Sequence, residues 1–463
     1  MTTSTDTRLP IDDLRSAISG RVIQPGDEGY DTDRQVLLGT APDARPALIV
    51  RPADAADVSG SIAFAREHGL EIAVQCGGHS AAGYGTTDGG LLLHLGELTS
   101  LDIDVDGKTV WAGAGHTAAE LSNALSPLGL VIGFGDTGSV GIGGITLGGG
   151  VGYLVRAYGL TIDNLLAAEI VTADGAIHVV DAGHEPDLFW AVRGGGGNFG
   201  VATRFLYRLH ARPQVVGGML LLPATADTVS GFVRLADEAP EELSAIINVM
   251  PVPPMPFVPA EWHGKLGIMA LMTYAGEPDA ATPVLAPFRA LAEPIADMLR
   301  PIAYAEMFPP EDPDYRPIAT ARTFFMDDVD HATAQGIVDR IGDHMAKGNA
   351  MMVAVQLRVL GGAAARVPAD ATAYARRDAR IMGNVAVLVT QPDQLAEHEP
   401  WVDALVADLR GDDERAYVNF VADEGPERVH AAYPGATWDR LAAIKRRYDP
   451  DNVFQRNQNV PPA

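Results

Sequence analysis

Three glycine-rich segments in the first half of the chain restrict most strongly the folds that it can adopt. They are VQCGGHS (residues 74–80), GFGDTGSVGIGGITLGGGVGY (133–153) and RGGGGNFGVATRF (193–205). Glycine loses more conformational entropy on folding than any other residue, so such runs indicate that the backbone must approach something closely. Three of them in one region indicate a long ligand that lies against the backbone along much of its length. An ordinary structural turn is the alternative for any one segment, but not for all three.

The first segment follows a predicted strand and places Gly77 and Gly78 before His79. Consecutive glycines at the end of a strand let backbone N–H groups turn toward an anion such as a phosphate. An ordinary turn with an exposed histidine is the alternative for this motif taken alone. None of the three segments has the strand, G-x-G-x-x-G and helix order of the usual dinucleotide fingerprint, so the sequence does not predict that arrangement.

The order of periodic segments predicts an α+β fold with two domains. Between about residues 47 and 210, strand-like runs such as ALIVRPA and EIAVQCGG flank the helical pattern ADVSGSIAFAREHG, as in a βαβ unit. After Pro213 the alternating strands and amphipathic helices become longer, as in LGIMALMTYAG and DHATAQGIVDRIGDHMAKG. We expect residues 1–211 to form a first domain, residues 212–415 a second domain, and residues 416–463 a C-terminal segment.

Charge and composition limit the partners of the chain. The net charge is −26, with acidic residues dispersed along the sequence, and such a field opposes binding to nucleic acid. The apolar runs are shorter than the roughly 20 residues needed to cross a bilayer, and residues 1–10 have neither the basic leader nor the apolar stretch of a secretory signal. A single cysteine, Cys76, excludes an internal disulfide and a thiolate metal cluster. We expect a cytoplasmic protein without a metal site that binds neither membranes nor nucleic acid.

A succession of motifs along the chain resembles the berberine bridge enzyme-like branch of the vanillyl-alcohol oxidase flavoprotein family. The resemblance covers nearly the whole chain and implies a two-domain PCMH-type FAD-binding fold. In it, the substrate domain is built on an antiparallel sheet covered by helices, and residues 416–463 return to the FAD-binding domain. The motifs are RPA (51–53), GGHS (77–80), VGIGGITLGGGVG (140–152), YGLTIDNL (158–165), EIVTADG (169–175), PDLFWAVRGGGGNFGV (186–201), LGGA (360–363), YVNF (417–420) and IKRRYDPDNVFQRNQNVPP (444–462).

The resemblance implies one FAD bonded covalently to His79 through the 8α-methyl group of its isoalloxazine. Many relatives form a second bond through a cysteine at the position of Thr137, so a single bond is expected here. Gln75 and Cys76 depart from the Arg-Gly or Arg-Ser more often found before Gly-Gly-His, which leaves the phosphate contacts open. Val140 corresponds to a position where a small aliphatic side chain admits dioxygen to the flavin, which favours an oxidase over a dehydrogenase.

The same resemblance assigns further residues to the cofactor, although packing is the alternative for each of them taken singly. Ile170 and Val171 are expected near the adenine end, and Asn457 and Asn459 in a tail that returns to the isoalloxazine edge. The cofactor-binding residues predicted in this way are Gln75, Cys76, Gly77, Gly78, His79, Ser80, Thr137, Gly138, Val140, Gly143, Gly144, Ile145, Gly150, Ile170, Val171, Asn198, Gly200, Val201, Asn457 and Asn459.

Tyr417 in the Y-x-N motif is the catalytic base that the resemblance implies, with Asn419 as its neighbour. A phenol has an unperturbed pKa near ~10, so a cation or hydrogen bonds must poise it to accept a proton. Arg358 is a candidate for that role, and Gln356 lies on the same face of its strand by period-2 alternation. A solvated strand face is the alternative for both. Lesser pocket candidates are Tyr153, Tyr274, Trp262 and His263.

These residues predict oxidation of a small organic alcohol, amine or natural-product intermediate by hydride transfer to FAD, with O2 reduced to H2O2. The expected partners are therefore a small-molecule substrate and O2, for a monomer or homodimer. The alternatives are a flavin-dependent oxygenase or oxidative cyclase in secondary metabolism, and a flavin-loaded binding protein without turnover. The sequence does not identify the substrate, because the second domain that lines the pocket is the variable part of the family.

Overall fold

The computed structural model describes residues 9–40, 43–312 and 314–463. The expectation of no secretory signal rests on residues 1–10, of which residues 1–8 lie outside the described residues. Within the described part, no helix combines the length and the apolar character that a membrane crossing requires.

The described chain up to residue 211 forms sheets of four, five and two strands and several short helices. The helices are α1 (Ile11–Ala17), α2 (Tyr30–Asp33), α3 (Ala55–Glu67), α4 (Ala118–Leu125), α5 (Ile142–Gly148), α6 (Val155–Tyr158) and α7 (Pro186–Ala191). The strands are β1 (Arg21–Ile23), β2 (Leu48–Arg51), β3 (Ile72–Gln75), β4 (Leu91–His94), β5 (Leu101–Asp104), β6 (Thr109–Gly113), β7 (Leu130–Val131), β8 (Leu165–Val171), β9 (Ile177–Asp181), β10 (Val201–Arg208) and β11 (His210–Ala211).

The first sheet contains the predicted βαβ unit, and that prediction is confirmed. Its strand order is β1-β2-β4-β3, with β4 parallel to both β2 and β3 and with β1 antiparallel to β2. Helix α3 connects β2 to β3 and begins after Asp54, whose carboxylate accepts the N–H of Asp57 as an N-cap. The chain leaves β3 directly into the Gly-Gly-His turn, so the sheet fixes where His79 begins its loop.

A second, fully antiparallel sheet supports the other two glycine-rich segments. Its strand order is β5-β6-β10-β8-β9. The segment at 133–153 contains α5, and the segment at 193–205 leads into the central strand β10. Both segments are thereby held against the same buried apolar core, which includes Phe134, Ile142, Phe199 and Phe205.

A large antiparallel sheet covered on one face by helices follows in residues 212–415, as the resemblance implies. Its strand order is β15-β12-β14-β13-β18-β19-β17, with β16 paired to β12. The strands are β12 (Val215–Pro223), β13 (Leu243–Pro251), β14 (Leu266–Tyr274), β15 (Ala296–Asp297), β16 (Arg300–Ile302), β17 (Ile318–Met326), β18 (Met352–Val359) and β19 (Ile381–Val389). The helices are α8 (Ala226–Glu238), α9 (Ala281–Arg289), α10 (His331–Met345), α11 (Gly362–Arg366) and α12 (Leu395–Arg410).

Period-2 alternation gives the large sheet two different faces. Ile247, Val249, Val355 and Leu357 belong to an apolar core shared with α8, α10 and α12. The intervening side chains therefore point to the opposite face, toward the glycine-rich segments.

The C-terminal segment returns to the glycine-rich segments. It comprises α13 (Pro426–Ala432), α14 (Ala436–Tyr448) and an irregular tail. Asn198 in the third glycine-rich segment accepts the N–H of Val460 at 2.9 Å and donates to Gln458 O at 3.1 Å. Buried Lys445 of α14 donates to Asn198 O at 2.7 Å. Asn198 therefore joins the third glycine-rich segment to both α14 and the tail.

Candidate functional site

A cavity of about 390 Å³ is enclosed by the three glycine-rich segments, the C-terminal segment and the polar face of the large sheet. It brings together residues that the sequence places more than 300 positions apart. Of the predicted cofactor-binding residues, its lining contains Gln75, Cys76, Gly77, Gly78, His79, Ser80, Thr137, Val140, Gly143, Gly144, Ile145, Asn198, Gly200, Val201 and Asn457.

The first two glycine-rich segments cross at their backbones. A Cβ atom added to Gly77 would lie 2.4 Å from Gly141 N, and one added to Gly141 would lie 2.4 Å from Gly77 N. Such separations are far below van der Waals contact, so only glycine permits this crossing. It places Cys76 and His79 of the first segment next to Ser139 and Gly143 of the second.

Other glycines leave open space that faces the cavity. A Cβ atom at Gly144 or at Gly197 would meet no other atom within 4 Å, and both residues line the cavity. Gln75 Oε1 and Asn457 Oδ1 are buried side-chain atoms without a hydrogen-bond partner in the described residues. Because buried polar atoms are nearly always hydrogen-bonded, the lining is suited to a ligand with polar groups at these two places.

His79 lies in the cavity wall, with its ring fixed from one side. Its Nε2 atom is 3.1 Å from Ser139 Oγ. Burial lowers the pKa of His79, an effect opposed by Glu311, Ser139 and Asp136. The ring is therefore neutral near pH 7, which leaves one of its nitrogens with a lone pair.

The lone cysteine is close to His79 but is not reactive. Cys76 packs against the backbone of Gly143 and Gly144, and burial raises the pKa of its thiol to about 11. Because the thiolate is the nucleophilic form, Cys76 is inert near neutral pH. Thr137 lines the same cavity at the position where many relatives carry a cysteine.

Tyr417 lies at the end of the cavity next to the large sheet, and its side chain is buried. Its hydroxyl oxygen accepts the N–H of Gly150 at 2.9 Å and the amide Nδ2 of Asn419 at 3.0 Å. Burial raises the pKa of Tyr417, whereas Gly150, Asn419 and the Arg358 guanidinium act in the opposite direction. Both hydrogen bonds use the oxygen as acceptor, so the hydroxyl hydrogen is left for a group in the cavity.

Arg358 is buried beside Tyr417 and has a carboxylate partner. Its Nη2 is 2.6 Å from Asp136 Oδ2, and its guanidinium carbon is 4.7 Å from the centre of the Phe420 ring. Asp136 belongs to the second glycine-rich segment and lines the cavity, as does Phe420. The ion pair therefore joins the large sheet to the loop that would contact the ligand.

A row of amide side chains crosses the polar face of the large sheet next to Arg358. Asn248, Gln356 and Asn384 are in register on β13, β18 and β19. Gln356 Nε2 donates to Asn248 Oδ1 at 2.9 Å, and Asn384 lines the cavity. Gln356 and Arg358 themselves lie behind the lining.

Five predicted cofactor-binding residues lie behind the cavity wall or beside it. Gly138 N–H donates to Glu311 Oε1 at 2.7 Å, and Gly150 N–H donates to Tyr417. Ile170 and Val171 are buried on β8, where they pair with β10 behind Gly200. Asn459 lines an adjoining cavity.

The lesser pocket candidates are separated from the cavity lining. Tyr153 is the nearest of them, since its hydroxyl donates to Asp136 O at 3.1 Å. Tyr274 packs in the apolar core on the helix side of the large sheet. His263 Nε2 donates to Val258 O at 3.1 Å in the loop that also contains Trp262.

Several residues at the site carry no signal in the sequence. Ser139 and Asp136 lie inside a predicted glycine loop, where their proximity to a histidine is not visible. Glu311 lies in an irregular Pro-rich and acidic stretch, and its contact with Ser139 joins residues 172 positions apart. Asn384 is recognisable only through the strand register. For these residues the missing information is the tertiary fold itself.

The chain matches two family models and is similar to characterised proteins over most of its length. Residues 46–181 match the model described as FAD binding domain, and residues 416–461 match the model described as berberine and berberine like. The chain is 31% identical over 463 residues to (R)-6-hydroxynicotine oxidase of Paenarthrobacter nicotinovorans, covering 96% of this chain and 97% of that protein. It is 28% identical over 449 residues to xylooligosaccharide oxidase of Thermothelomyces thermophilus, covering 90% and 88%.

A solved structure has the same overall fold. The crystal structure of 6-hydroxy-D-nicotine oxidase from Arthrobacter nicotinovorans gives a TM-score of 0.83 at 27% identity. The similarity covers 96% of this chain and 98% of that one.

Proposed function

Because the chain belongs to the berberine bridge enzyme-like family of FAD-linked oxidoreductases, we propose that it is an oxidase with one FAD bonded to His79. We further propose that it oxidises a small organic alcohol or amine and reduces O2 to H2O2. The observation that carries this proposal is the cavity that joins His79, three glycine-rich segments and Tyr417.

The residues that line the cavity fit a flavin dinucleotide. Gly144 and Gly197 expose backbone to open space, and Gln75 and Asn457 present buried oxygens without partners in the described residues. An FAD held there would accept a hydride from the substrate and pass two electrons to dioxygen. In this proposal the Gly77–Gly78 turn holds the pyrophosphate, and Asn457 contacts the isoalloxazine edge.

Tyr417 is the proposed catalytic base. Gly150, Asn419 and Arg358 all favour the charged form of its hydroxyl, and they offset part of the cost of burial. The phenolate form of Tyr417 then takes the proton of a substrate hydroxyl or amine while the adjacent carbon is oxidised. Asn384, which lines the cavity, can donate hydrogen bonds to the remainder of a polar substrate and accept them from it.

Two further features support a single covalent bond and the use of dioxygen. Thr137 replaces the second attachment residue, and Cys76 is held as a thiol by its raised pKa. Val140, a small aliphatic residue, lines the cavity at the position associated with access of dioxygen to the flavin. The relatives named nicotine and xylooligosaccharide oxidases act on different substrate classes, so the proposal for this chain keeps both alcohols and amines.

A test of this proposal begins with the colour of the purified protein. We expect a yellow protein whose flavin remains with the polypeptide after acid precipitation, and a His79→Ala variant whose flavin is released. His184→Ala, which changes an exposed histidine on another loop, is the control and should retain the flavin. Covalent flavin in the His79→Ala protein would contradict the attachment site.

A panel of alcohols, amines and oligosaccharides then tests the reaction. A substrate should bleach the flavin without oxygen and yield one H2O2 for each O2 consumed in air. Incorporation of oxygen into the product would instead indicate an oxygenase.

A further inference from the structure

A hydroxyl and a carboxylate are hydrogen-bonded in series with His79, and neither residue belongs to the cavity lining. Ser139 Oγ is 3.1 Å from His79 Nε2 and donates to Glu311 Oε2 at 2.5 Å. The other carboxylate oxygen of Glu311 accepts the N–H of Gly138 at 2.7 Å and the N–H of Ser139 at 3.3 Å. Glu311 comes from the stretch before β17, so it reaches the second glycine-rich segment from the other half of the chain.

The directions of these hydrogen bonds fix the tautomer of the imidazole. A serine hydroxyl has one hydrogen, and Ser139 uses it on the Glu311 carboxylate, which only accepts. Ser139 can then only accept from His79, so Nε2 must carry the ring hydrogen. In a neutral imidazole the other nitrogen, Nδ1, consequently holds the lone pair.

Nδ1 of His79 makes no side-chain hydrogen bond to the described residues. Its Nε2 is hydrogen-bonded to Ser139 Oγ, the Ser139 backbone also interacts with the ring, and the residue lines the cavity. Burial lowers the pKa of His79, which keeps the ring neutral. Nδ1 is therefore the nitrogen able to form a bond to carbon. Nε2, which must lose its proton when that bond forms, is already hydrogen-bonded to Ser139 and through it to Glu311.

We propose that Ser139 and Glu311 are positioning residues for covalent attachment of the flavin, selecting Nδ1 of His79 as the nucleophile and accepting the Nε2 proton. In the net reaction a bond forms between Nδ1 and the 8α-carbon. One C–H bond of that carbon and the N–H bond of Nε2 are broken. The two hydrogens leave as two protons and two electrons in total, and these reduce one dioxygen to hydrogen peroxide. The Nε2 proton moves to the Ser139 hydroxyl as the Ser139 proton moves to Glu311.

This inference rests on the proposed function, because it needs FAD at the cavity and attachment at His79. It adds what that proposal leaves open, namely why the attachment occurs and through which nitrogen. A purely structural role for Glu311 is the competing explanation, since its carboxylate also receives two backbone N–H groups.

The decisive variant is Glu311→Gln. The amide oxygen can still accept the two backbone N–H groups, but the amide nitrogen then donates to Ser139 Oγ. Ser139 no longer has a carboxylate to donate to and is free to donate to His79 Nε2, which favours the tautomer with the ring hydrogen on Nδ1 and without the nucleophilic lone pair there. We expect attachment to slow by about 10² to 10⁴, the range for removal of a general base.

Ser139→Ala is the second variant. It interrupts the relay, by which we mean the hydrogen bonds from His79 through Ser139 to Glu311, without reversing their direction. We expect a smaller loss of attachment rate, because either tautomer of His79 is then accessible. Asp312→Asn, which changes an exposed acid next to Glu311, is the matched control and should attach flavin like the parent protein.

The experiment produces each protein in a riboflavin-limited host, so that it is purified largely without flavin, then adds excess FAD in air and follows over time the flavin that resists acid precipitation. Binding of reversibly held FAD and the Tm are measured on the same samples. Support requires slow attachment in Glu311→Gln with unchanged Tm and FAD binding, and attachment at Nδ1 in the parent's flavin peptide. If Glu311→Gln does not fold, the rate for Ser139→Ala decides.

Four results would overturn the proposal. Parent-like attachment in both variants would remove the relay but leave the proposed function intact. If FAD binding, the Tm and the attachment rate of the Glu311→Gln protein all decrease together, Glu311 has a structural role. A bond at Nε2 would contradict the tautomer. A parent protein with no covalent flavin would remove both the relay and the proposed attachment.

Discussion

The hydroxyl of Tyr417 receives two hydrogen bonds and makes none to the described residues, so both bonds stabilise the phenolate that would act as the base. We expect Tyr417→Phe to slow reduction of the flavin by a substrate by about 10² to 10⁴, because it removes a proton acceptor and keeps the ring. Reoxidation by dioxygen should be nearly unchanged. Stopped-flow measurement of the two half-reactions gives both rates.

Tyr374→Phe is the matched control for this variant. Its ring packs edge-on against Tyr417 with 5.9 Å between ring centres, and its hydroxyl is also buried. It should leave both half-reactions unchanged. In the parent enzyme, reduction should become faster as pH rises, because burial raises the pKa of Tyr417 and its charged form is the base. A reduction rate in Tyr417→Phe equal to the parent's would make Tyr417 a packing residue.

The number of covalent bonds is a second prediction at the scale of single residues. Since Thr137 offers no thiol and the Cys76 thiol is inert, we expect one bond, at His79. Mass spectrometry of proteolytic peptides should find flavin on the fragment with His79 alone. Flavin that bridges this fragment to residues 133–153 would refute the assignment.

Residues inside contiguous motifs could be predicted from the sequence, and residues defined by distant contacts could not. His79 and Tyr417 stand in GGHS and YVNF, and the cavity brings both together. The strand pattern predicts the face on which Arg358 lies, but its ion pair with Asp136 spans 222 positions. Glu311 has no local signal at all, because its role depends on a loop that folds against it.

Among the elements, strands and helices with strong periodicity were predictable, whereas their neighbours in the sheets were not. The patterns of β2, α3 and β3 were recognised, but the insertion of β4 between the two strands is a tertiary feature. The same holds for the amide row, since Asn248, Gln356 and Asn384 become neighbours only when β13, β18 and β19 pair in register.

The packing of α10 against α12 predicts a dependence of stability on pH. Nε2 of His344 on α10 and Nδ1 of His398 on α12 share a hydrogen bond of 2.9 Å, and both rings are buried. Burial, with smaller effects of His398 and Lys347, lowers the pKa of His344 to about 4, against about 6.5 in an unfolded chain. Below pH about 6.5 the unfolded chain therefore binds more protons than the folded one, and stability falls until about pH 4.

We expect His344→Gln to flatten this decline, because the amide keeps a hydrogen bond to His398 and does not titrate. The measurement is the Tm between pH 4 and 7. The full effect in the parent is up to about 3 kcal/mol, from the usual free energy of a pKa change of this size. His331→Gln, at the exposed start of the same helix, should keep the parent's slope. An identical slope in His344→Gln would show that other groups control acid stability.

At the scale of the whole molecule, a buried ion pair holds the C-terminal segment to the third glycine-rich segment. Lys445 Nζ donates to Asp449 at 2.5 Å, to Asn198 O at 2.7 Å and to Phe454 O at 2.9 Å, and both charged side chains are fully buried. Asp449 also accepts the N–H groups of Val453 and Phe454. The pair therefore fixes the tail that carries Asn457 to the cavity.

We expect Lys445→Met to lower stability by about 3 to 5 kcal/mol, because it leaves the Asp449 carboxylate buried and unpaired. The flavin should also be bound less completely, since the tail loses its anchor. The Tm and the flavin-to-protein ratio measure the two effects. Arg446→Met, at the next and exposed position of α14, is the control and should change neither. Normal stability with a lower flavin ratio would restrict the role of Lys445 to the cofactor.

The hydrogen bonds of Asn198 also have a consequence for the nascent chain on the ribosome. Its partners Lys445 and Val460 lie 247 and 262 positions later. At about 5 to 20 residues per second, translation reaches those partners on the order of ten seconds to a minute after Asn198. Throughout that interval the third glycine-rich segment lacks its hydrogen bonds to α14 and the C-terminal tail. A translation intermediate arrested before α14 should therefore bind FAD only weakly, even though His79 has already been made.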